Sequence, residues 1–392
     1  MSPSVNPFFF LTFFHRGTFA APTFTLHPPK IRRPETRHYQ SRRKYGIIYG
    51  VMAELAVLEK CEVCTAPTLT RREFCTTAAA VVSTAALSPF VVNAKEAKAK
   101  PFVKWAGGKG QLLEQLAELL PRDLATRKDF TYVEPFVGGG AMLFYMLSTF
   151  PNISRVIIND FNHDLIQCYT AIRNTPDDLI RELEKHQSAY YALKDDDARK
   201  AYYLSQRERY NARTTSPIET AALFIFLNRT CFNGLYRVNS KGKFNVPFGR
   251  ATKPLICDVE TIRADSKLLQ KVEILCGDFE SVESHIKERA FVYFDPPYRP
   301  LPNTSSFTAY SKNGFDDSEQ KRLAAFCRRL DKAGHQWLLS NSDPTNTDAT
   351  DKFFDEMFEG FEIRRVMASR MINSKADGRG KITELAIRNY KE

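Results

Sequence analysis

The chain has 392 residues, enough for two or three average domains or for one large α/β domain with an insertion. Its formal net charge is +11, but residues 1–100 contain 14 Lys and Arg against 6 Asp and Glu, so most of the excess lies there. The overall charge is therefore no evidence for a nucleic-acid partner, which would depend on local basic clusters. The eight cysteines are scattered, and the lone pair Cys61 and Cys64 is too weak a pattern for a metal or redox site.

Residues 1–100 do not look like part of the fold. Residues 1–51 are basic and poor in acids, which is typical of a transit-like or disordered leader. Arg71 and Arg72 then precede an apolar run over residues 75–92 and resemble a twin-arginine export signal. The run is too short for a convincing membrane span, and a mis-assigned start or an unstructured fused leader explains it equally well.

Strand and helix patterns alternate after residue 100. An apolar helix is predicted at residues 141–147, and another helix begins at residues 164–173. Residues 177–230 are mostly helical, and residues 231–254 have a loop-like composition. The alternation predicts a mostly parallel α/β sheet with helices on both faces, and an insertion between the second and third strands. The strands are predicted at residues 131–136, 155–160, 272–276, 291–295, 336–340, 362–367 and 382–388.

A glycine-rich turn, Gly138-Gly-Gly140, follows the first predicted strand, and Asp160 ends the second. At the carboxyl ends of parallel strands, such a turn lets the backbone approach a ligand and directs a helix N-terminus at its negative group. An acid about 20 residues after the turn can accept hydrogen bonds from the hydroxyl groups of a ribose. Together they favour a nucleoside-containing cofactor, while the lack of a third glycine at the dinucleotide spacing argues against NAD.

The sequence Asp295-Pro-Pro-Tyr298 follows a run of strand-forming residues and is expected to border the same cleft. A carboxylate and a backbone carbonyl that accept both hydrogens of an aromatic amino group stabilise the positive charge that develops on its nitrogen. Pro296 and Pro297 fix an extended turn, and Tyr298 offers a face on which a planar base can stack. The alternative is a structural turn with a packed tyrosine; we favour the clamp.

Seven blocks in the body of the chain share one order with a known family. The blocks are Phe102-Val-Lys-Trp-Ala-Gly-Gly-Lys109, Glu134-Pro-Phe-Val-Gly138, Leu227-Asn-Arg229, Phe232-Asn-Gly-Leu-Tyr-Arg237, Phe244-Asn-Val-Pro-Phe-Gly249, Asp295-Pro-Pro-Tyr298 and Phe307-Thr-Ala-Tyr310. In these blocks, residues 102–392 resemble the Dam-type DNA adenine-N6 methyltransferases, whose usual target is GATC. The polar segment 371–381 departs from the pattern and does not align with one subgroup.

The resemblance implies an S-adenosylmethionine-dependent enzyme without a metal, on a Rossmann-like seven-stranded mixed sheet whose last two strands form an antiparallel hairpin. It implies a catalytic domain of residues 101–170 and 265–392 and a target-recognition insertion of residues 171–264. Lys109 is expected near the methionine carboxylate, Asp160 at the ribose and Asp278 at the adenine edge. The residues expected to bind the cofactor are Trp105, Lys109, Phe136, Gly138, Asp160, Asp278, Phe279 and Asp295.

The insertion is expected to read the DNA sequence. Arg237 suits a bidentate contact to guanine, and Lys104 is a second candidate for such a contact. Phe232, Asn233, Leu235 and Pro247 are expected to wedge or pack at the bases. Lys241, Lys243 and Arg250 suit phosphate contacts, although a solvated loop explains Lys241 and Lys243 nearly as well.

The expected reaction begins when the target adenine leaves the duplex, stacks on Tyr298 and gives its amino hydrogens to Asp295 and the Pro296 carbonyl. The alternatives are an enzyme that methylates RNA bases or a protein glutamine, and a non-catalytic DNA-binding protein on the same fold. Double-stranded DNA is the expected partner, and a cognate restriction endonuclease is the expected genetic partner. The protein is expected to be a monomer that does not contact a membrane. The expected location is with the DNA, in a bacterial cytoplasm or nucleoid, or else in an organelle; export is not expected.

Overall fold

The structure is a computed structural model that describes residues 98–105, 109–299, 315–369 and 381–391. These residues contain a seven-stranded sheet with the strand order β3-β2-β1-β4-β5-β7-β6. The pairs among β1 to β5 are parallel, whereas β7 is antiparallel to both β5 and β6. The strands are β1 (Phe130–Glu134), β2 (Ile153–Asp160), β3 (Val272–Cys276), β4 (Ala290–Phe294), β5 (Gln336–Ser342), β6 (Glu362–Ser369) and β7 (Lys381–Arg388).

All seven predicted strands are present, and their ends differ from the predicted ones by at most two residues. The predicted Rossmann-like mixed sheet with a final antiparallel hairpin is confirmed. Residues 1–97 of the predicted leader, which include its twin-arginine pattern, lie outside the described residues, whereas residues 98–100 are described. Among the residues that are described, no helix has both the length and the apolar character needed to cross a bilayer.

Apolar residues bury both faces of the sheet because its central strands are continuous hydrophobic runs. All five residues of β1 and of β4 are buried. Side chains alternate between faces along a strand, so Tyr132 and Tyr293 join the larger core, whereas Val133 and Phe294 join a second core on the opposite face. Helices cover both cores, as the sequence predicted.

The helices of the described residues are α1 (Leu113–Glu118), α2 (Ala141–Thr149), α3 (His163–Asn174), α4 (Pro176–Tyr191), α5 (Asp196–Ala212), α6 (Pro217–Thr230), α7 (Val259–Leu269), α8 (Asp317–Lys332) and α9 (Phe353–Met357). Short polar side chains begin several of them: Asp195, Ser216 and Asp316 each accept a hydrogen bond from a first-turn backbone N–H. Each of these caps satisfies a backbone donor that the helix itself leaves unpaired.

Helices α3 to α7 lie between β2 and β3 in the chain and include the predicted insertion. Helix α6 is buried along almost its whole length and packs against α3, α4 and α5. Residues 231–258 contain a short 3₁₀ turn and two isolated bridges, which agrees with the predicted loop-like region. The predicted domain boundaries at residues 170 and 264 fall inside α3 and α7, and the domain division stays a prediction.

Residues 98–105 form a strap that three side chains of the helical region hold by its backbone. Asp265 accepts the Lys100 N–H at 3.0 Å, and Arg229 donates to the Phe102 carbonyl at 2.6 Å. Asn228 accepts the Lys104 N–H at 2.8 Å. These three hydrogen bonds therefore fix the path of the backbone over residues 98–105.

We predict that Asp265 makes stability depend on pH. Its side chain is fully buried, and burial raises its pKa to about 8. Because the folded state holds this proton more tightly than the unfolded state, the free energy of unfolding falls as pH rises from about 4 to about 8. Asp265→Asn keeps an acceptor for Lys100 and removes the charge, so it should be more stable than the wild type near pH 9 by more than about 1 kcal/mol.

Urea unfolding of both proteins near pH 5 and near pH 9 measures this difference, with the exposed Asp129→Asn as the control. A stability difference between wild type and Asp265→Asn that does not change with pH would mean that Asp265 is already ionised in the folded protein.

Candidate active site

The glycine turn lies between β1 and α2 and forms a tight backbone cradle. Gly138 and Gly140 have φ values of +48° and +77°, in the left-handed region that favours glycine. A Cβ atom on Gly138 would lie 2.9 Å from Nε1 of Trp105, so the indole lies directly on the turn. The Tyr169 hydroxyl donates to the Gly138 carbonyl at 3.0 Å and fixes the turn from the other side.

Asp160, the last residue of β2, is joined to the glycine turn. Its Oδ2 accepts the Gly138 N–H at 3.0 Å, and its Oδ1 accepts the Asn162 N–H at 2.9 Å. Burial raises the pKa of Asp160, while these two N–H groups oppose the shift. Each carboxylate oxygen keeps a further lone pair, so Asp160 can still accept bonds from hydroxyl groups.

Asp278 and Phe279 follow β3 and lie beside a guanidinium that the sequence did not predict there. Arg322 donates to the two oxygens of Asp278 at 3.1 and 2.6 Å, and its Cζ lies 4.3 Å from the Phe279 ring centroid. Burial alone would raise the pKa of Asp278, but hydrogen bonds from Arg322 and from the Glu280 N–H lower it overall. The ring of Phe136 lies 5.2 Å from that of Phe279, so the predicted aromatic residues do come together.

Asp295 immediately follows β4, and two polar side chains contact its carboxylate. The Lys109 Nζ lies 2.8 Å from Asp295 Oδ1, and the Ser340 hydroxyl donates to the same oxygen at 3.2 Å. The Tyr293 hydroxyl lies 3.1 Å from the Ser340 hydroxyl. Burial raises the pKa of Asp295, and the Lys109 ammonium and the Ser340 hydroxyl oppose that shift. Asp295 is therefore a stronger proton acceptor than an exposed aspartate.

Lys109 contacts Tyr298 as well as Asp295. The Lys109 Nζ lies 4.2 Å from the centroid of the Tyr298 ring and 3.9 Å from Oε2 of Glu384. The Tyr298 hydroxyl donates to the same Glu384 oxygen at 2.5 Å. With a side chain that is 4% exposed, Lys109 lies between two carboxylates and an aromatic face. Its predicted contact to the cofactor stays a prediction.

The two prolines fix the backbone between Asp295 and Tyr298. Pro296 is buried, and the Pro297 carbonyl accepts a hydrogen bond from Gln320 Nε2 at 3.1 Å. Gln320 is itself held by the Asn341 side chain at 3.0 Å. The turn is therefore braced by α8 and β5.

Glu134, at the end of β1, is a third buried acid near these groups. The Tyr132 hydroxyl donates to its Oε2 at 2.9 Å. Burial, and after it the charges of Asp295 and Asp160, raise the pKa of Glu134 well above its usual range. Glu134 therefore holds a proton more strongly than an exposed glutamate.

The predicted base-reading residues lie on the surface loop after α6. Arg237 donates through Nε to the Asn245 side chain at 2.8 Å and through Nη2 to the Asn245 carbonyl at 3.3 Å, and it is exposed. Phe232 is 51% exposed, and the exposed Pro247 accepts the Phe232 N–H at 2.8 Å. Asn233 has a φ of 54°, which is uncommon outside glycine. The loop thus presents a guanidinium and an apolar ring to solvent.

Lys104 and the recognition loop are joined by Asn228, which was not among the predicted site residues. Its Nδ2 donates to the carbonyls of Lys104 at 2.7 Å and of Gly234 at 2.9 Å. Asn228 is 2% exposed, whereas Lys104 is exposed. Leu235 is partly buried, and its carbonyl accepts the Cys231 thiol at 3.2 Å. One buried amide therefore fixes Lys104 relative to the loop.

Trp105 connects the glycine turn to the same loop. Its ring stacks on Tyr236, with centroids 5.9 Å apart and an interplanar angle of 19°, and lies 6.5 Å from Phe224. Tyr236 precedes Arg237 in the chain. The predicted cofactor residue Trp105 is thus also part of the packing of the recognition loop.

Sequence reasoning missed Glu384, Ser340, Arg322 and the role of Asn228. Asn228 was inside the block Leu227-Asn-Arg229, and Glu384 is an acid between apolar residues of a predicted strand, so both gave a signal. Ser340 and Arg322 gave none. The block at residues 307–310, the glycines at 107–108 and the polar segment at 371–380 lie outside the described residues. In the described part, no group of three or more His, Cys, Asp and Glu is arranged for a metal ion.

Comparisons with known proteins agree on one family. The sequence profile of the family described as D12 class N6 adenine-specific DNA methyltransferase matches residues 105–372. The type II methyltransferase M.MjaIII of Methanocaldococcus jannaschii is 50% identical over 74% of this chain and 99% of its own length. The type II methyltransferase M1.LlaDCHI of Lactococcus lactis subsp. cremoris is 39% identical over 74% and 95%. The DNA adenine methylase of Haemophilus influenzae is 34% identical over 74% and 93%.

We predict that the Lys109 ammonium lowers the pKa of Asp295. Lys109→Met removes a positive charge 2.8 Å from the carboxylate, so the pKa of Asp295 should rise further. Carboxyl ¹³C chemical shifts of aspartate-labelled protein, assigned by their loss in Asp295→Asn, measure the titration. The exposed Lys128→Met is the control, and an unchanged Asp295 titration in Lys109→Met would show that the ion pair is absent in solution.

Proposed function

The chain belongs to the D12 class of N6 adenine-specific DNA methyltransferases, and from this premise we propose which of its residues hold, read and methylate the target. The enzyme uses S-adenosylmethionine and acts on adenine in DNA. Membership of this family favours the DNA enzyme over the predicted alternatives, which are an RNA or protein methyltransferase and a non-catalytic DNA-binding protein. GATC as the recognition sequence is part of the proposal.

The residues around the glycine turn fit an S-adenosylmethionine molecule. Gly138, where a Cβ atom would meet Trp105, gives a backbone cradle, and the Asp160 carboxylate retains acceptor capacity for ribose hydroxyls. Phe136, Phe279 and Asp278 offer aromatic and acidic groups for an adenine ring. When bound, the cofactor supplies an electrophilic methyl group on a sulfonium. The proposed binding residues are Trp105, Lys109, Phe136, Gly138, Asp160, Asp278, Phe279 and Asp295.

The observation that carries the catalytic proposal is the position of the Lys109 nitrogen. This nitrogen lies over the Tyr298 ring, 4.2 Å from its centroid, and 2.8 Å from the Asp295 carboxylate. A nitrogen donor above that ring therefore reaches Asp295, and the neutral amino group of a stacked base also offers N–H donors. This geometry supports Asp295, Pro296, Pro297 and Tyr298 as the clamp for the adenine amino group.

In the proposed mechanism, Tyr298 stacks on the flipped adenine and holds its plane. Asp295 accepts one hydrogen of the amino group and the Pro296 carbonyl accepts the other, which stabilises the positive charge that N6 gains as it takes up the methyl group. Asp295 then accepts the proton that N6 loses. Its pKa, raised by burial, makes it a better base for that proton than an exposed aspartate.

We propose that the exposed loop after α6 reads the DNA. Arg237 is held to Asn245 and directs a guanidinium outward, which suits guanine in the major groove. Lys104 offers a second contact, Phe232, Asn233, Leu235 and Pro247 pack at the bases, and Lys241, Lys243 and Arg250 contact phosphates. The recognition insertion, residues 171–264, completes the catalytic domain of residues 101–170 and 265–392.

The relatives named as type II methyltransferases support a cognate restriction endonuclease as a genetic partner. We propose that the protein acts as a monomer on double-stranded DNA, in a bacterial cytoplasm or nucleoid. Organelle import depends on residues 1–97, which are outside the described part, and remains the alternative. N-terminal sequencing of the mature protein tests both.

We predict that Asp295→Asn loses methyl transfer. The amide is the same size, but it carries no charge and cannot take the N6 proton, so kcat should fall by about 10²-fold or more. Transfer of radiolabelled methyl groups to duplex DNA at saturating S-adenosylmethionine measures kcat, so any loss of cofactor affinity from Asp295, itself a proposed binding residue, does not enter the result. The exposed Asp197→Asn is the control. Normal kcat in Asp295→Asn would reject the clamp.

We predict that Arg237→Ala relaxes sequence choice. Loss of a bidentate contact to guanine should lower discrimination at one base pair by about 1–3 kcal/mol. Values of kcat/KM on a GATC duplex and on duplexes with single substitutions measure this effect. Lys243→Ala is the control and should weaken all duplexes alike, as expected for a phosphate contact. Unchanged preference in Arg237→Ala would exclude it as a reading residue.

A further inference from the structure

We infer that Glu384 is a positioning residue of the reaction, which holds the ring of Tyr298 through a hydrogen bond from the tyrosine hydroxyl. The inference rests on the proposed role of Tyr298 as the face on which the adenine stacks. Glu384 is on β7, beyond the residues matched by the family profile, and was not among the predicted site residues.

The backbone of Glu384 is held on both sides. In the sheet, Glu384 is opposite Ser342 of β5 and Val366 of β6, and the next three residues of β7 are buried. Tyr298, in contrast, lies beyond the end of β4 and after two prolines, outside the strands. The hydrogen bond of 2.5 Å between the Tyr298 hydroxyl and Glu384 Oε2 therefore ties a residue of a turn to the interior of the sheet.

The hydrogen bond to Tyr298 explains why an acidic residue lies at this position of β7. The strand itself does not need an acid there. An acid in a strand with sheet neighbours on both sides loses hydration, which costs free energy unless it has polar partners. The partners of Glu384 are the Tyr298 hydroxyl and, at 3.9 Å, the Lys109 ammonium. Burial, followed by the charges of Asp295 and Glu384, raises the pKa of Tyr298 well above its usual range, so the hydroxyl keeps the proton that it donates.

The contact has a direct consequence for the reaction. A base that stacks on Tyr298 takes its position from the ring, so a rotation or shift of the ring displaces N6 relative to Asp295. Methyl transfer is sensitive to such displacement, since a misplacement of about 1 Å can cost about 10²-fold in rate. The hydroxyl bond to Glu384 restricts this motion, while the ring face itself does the stacking.

A double-mutant cycle on Glu384→Ala and Tyr298→Phe tests the inference. Tyr298→Phe keeps the ring and removes only the hydroxyl. Glu384→Ala should lower kcat by about 10- to 100-fold in the otherwise wild-type enzyme. In the Tyr298→Phe background the same change should cost less than about threefold, because the hydroxyl through which Glu384 acts is already gone.

Glu384→Gln is the conservative variant, since its amide oxygen still accepts the hydroxyl bond. It should restore kcat to within about threefold of the wild type, while S-adenosylmethionine affinity and melting temperature stay close to wild-type values in all variants. If Glu384→Ala does not fold, Tyr298→Phe and Glu384→Gln carry the test: the first should lower kcat and the second should not.

Equal losses from Glu384→Ala in both backgrounds would overturn the inference, and so would wild-type kcat in Tyr298→Phe. A separate variant distinguishes failure of the proposed function. Tyr298→Ala removes the stacking face, and normal kcat in that variant would reject Tyr298 as the adenine platform, whatever Glu384 does.

Discussion

Asp295 is a largely buried carboxylate, 23% exposed, just after β4, and the arrangement of the site follows from this position. A buried charge is costly unless polar partners surround it, and Lys109 and Ser340 supply them. One cation between Asp295 and Glu384, above the Tyr298 ring, shows that the pocket favours positive charge on nitrogen. The amino nitrogen of adenine becomes positive only as it is methylated. Under the proposed function, the pocket therefore complements the transition state more than the neutral base.

Short contacts connect the loop that is proposed to read the DNA with the glycine turn that is proposed to hold the cofactor. Trp105 lies on the glycine turn and stacks on Tyr236, the neighbour of the proposed guanine-reading Arg237. Asn228 bonds the backbone of Lys104 and of the recognition loop together. These contacts join the glycine turn, Lys104 and the proposed DNA-reading loop within the fold of the protein itself.

Much of this could be predicted from the sequence because it is local. Strand patterns predicted all seven strands. The block at Asp295 indicated the clamp, which stays a prediction. The rest is non-local. Insertion of β7 between β5 and β6 brings Glu384 to the site, and no pattern within β7 specifies those neighbours. Ser340 reaches Asp295 by the parallel pairing of β4 and β5. Lys109 was expected at the cofactor, and its contact to Asp295 depends on packing between distant segments.

The position of Lys109 also constrains the order of events under the proposed function. Its ammonium lies on the face of Tyr298 where the adenine is proposed to stack, and two groups cannot occupy that face together. Lys109 must therefore leave the ring before the base enters. The family resemblance implies that Lys109 lies near the methionine carboxylate of the cofactor, which would give the ammonium a partner elsewhere. Under the proposed function, the charge of the bound cofactor would then draw Lys109 away from the face of Tyr298 that the base enters.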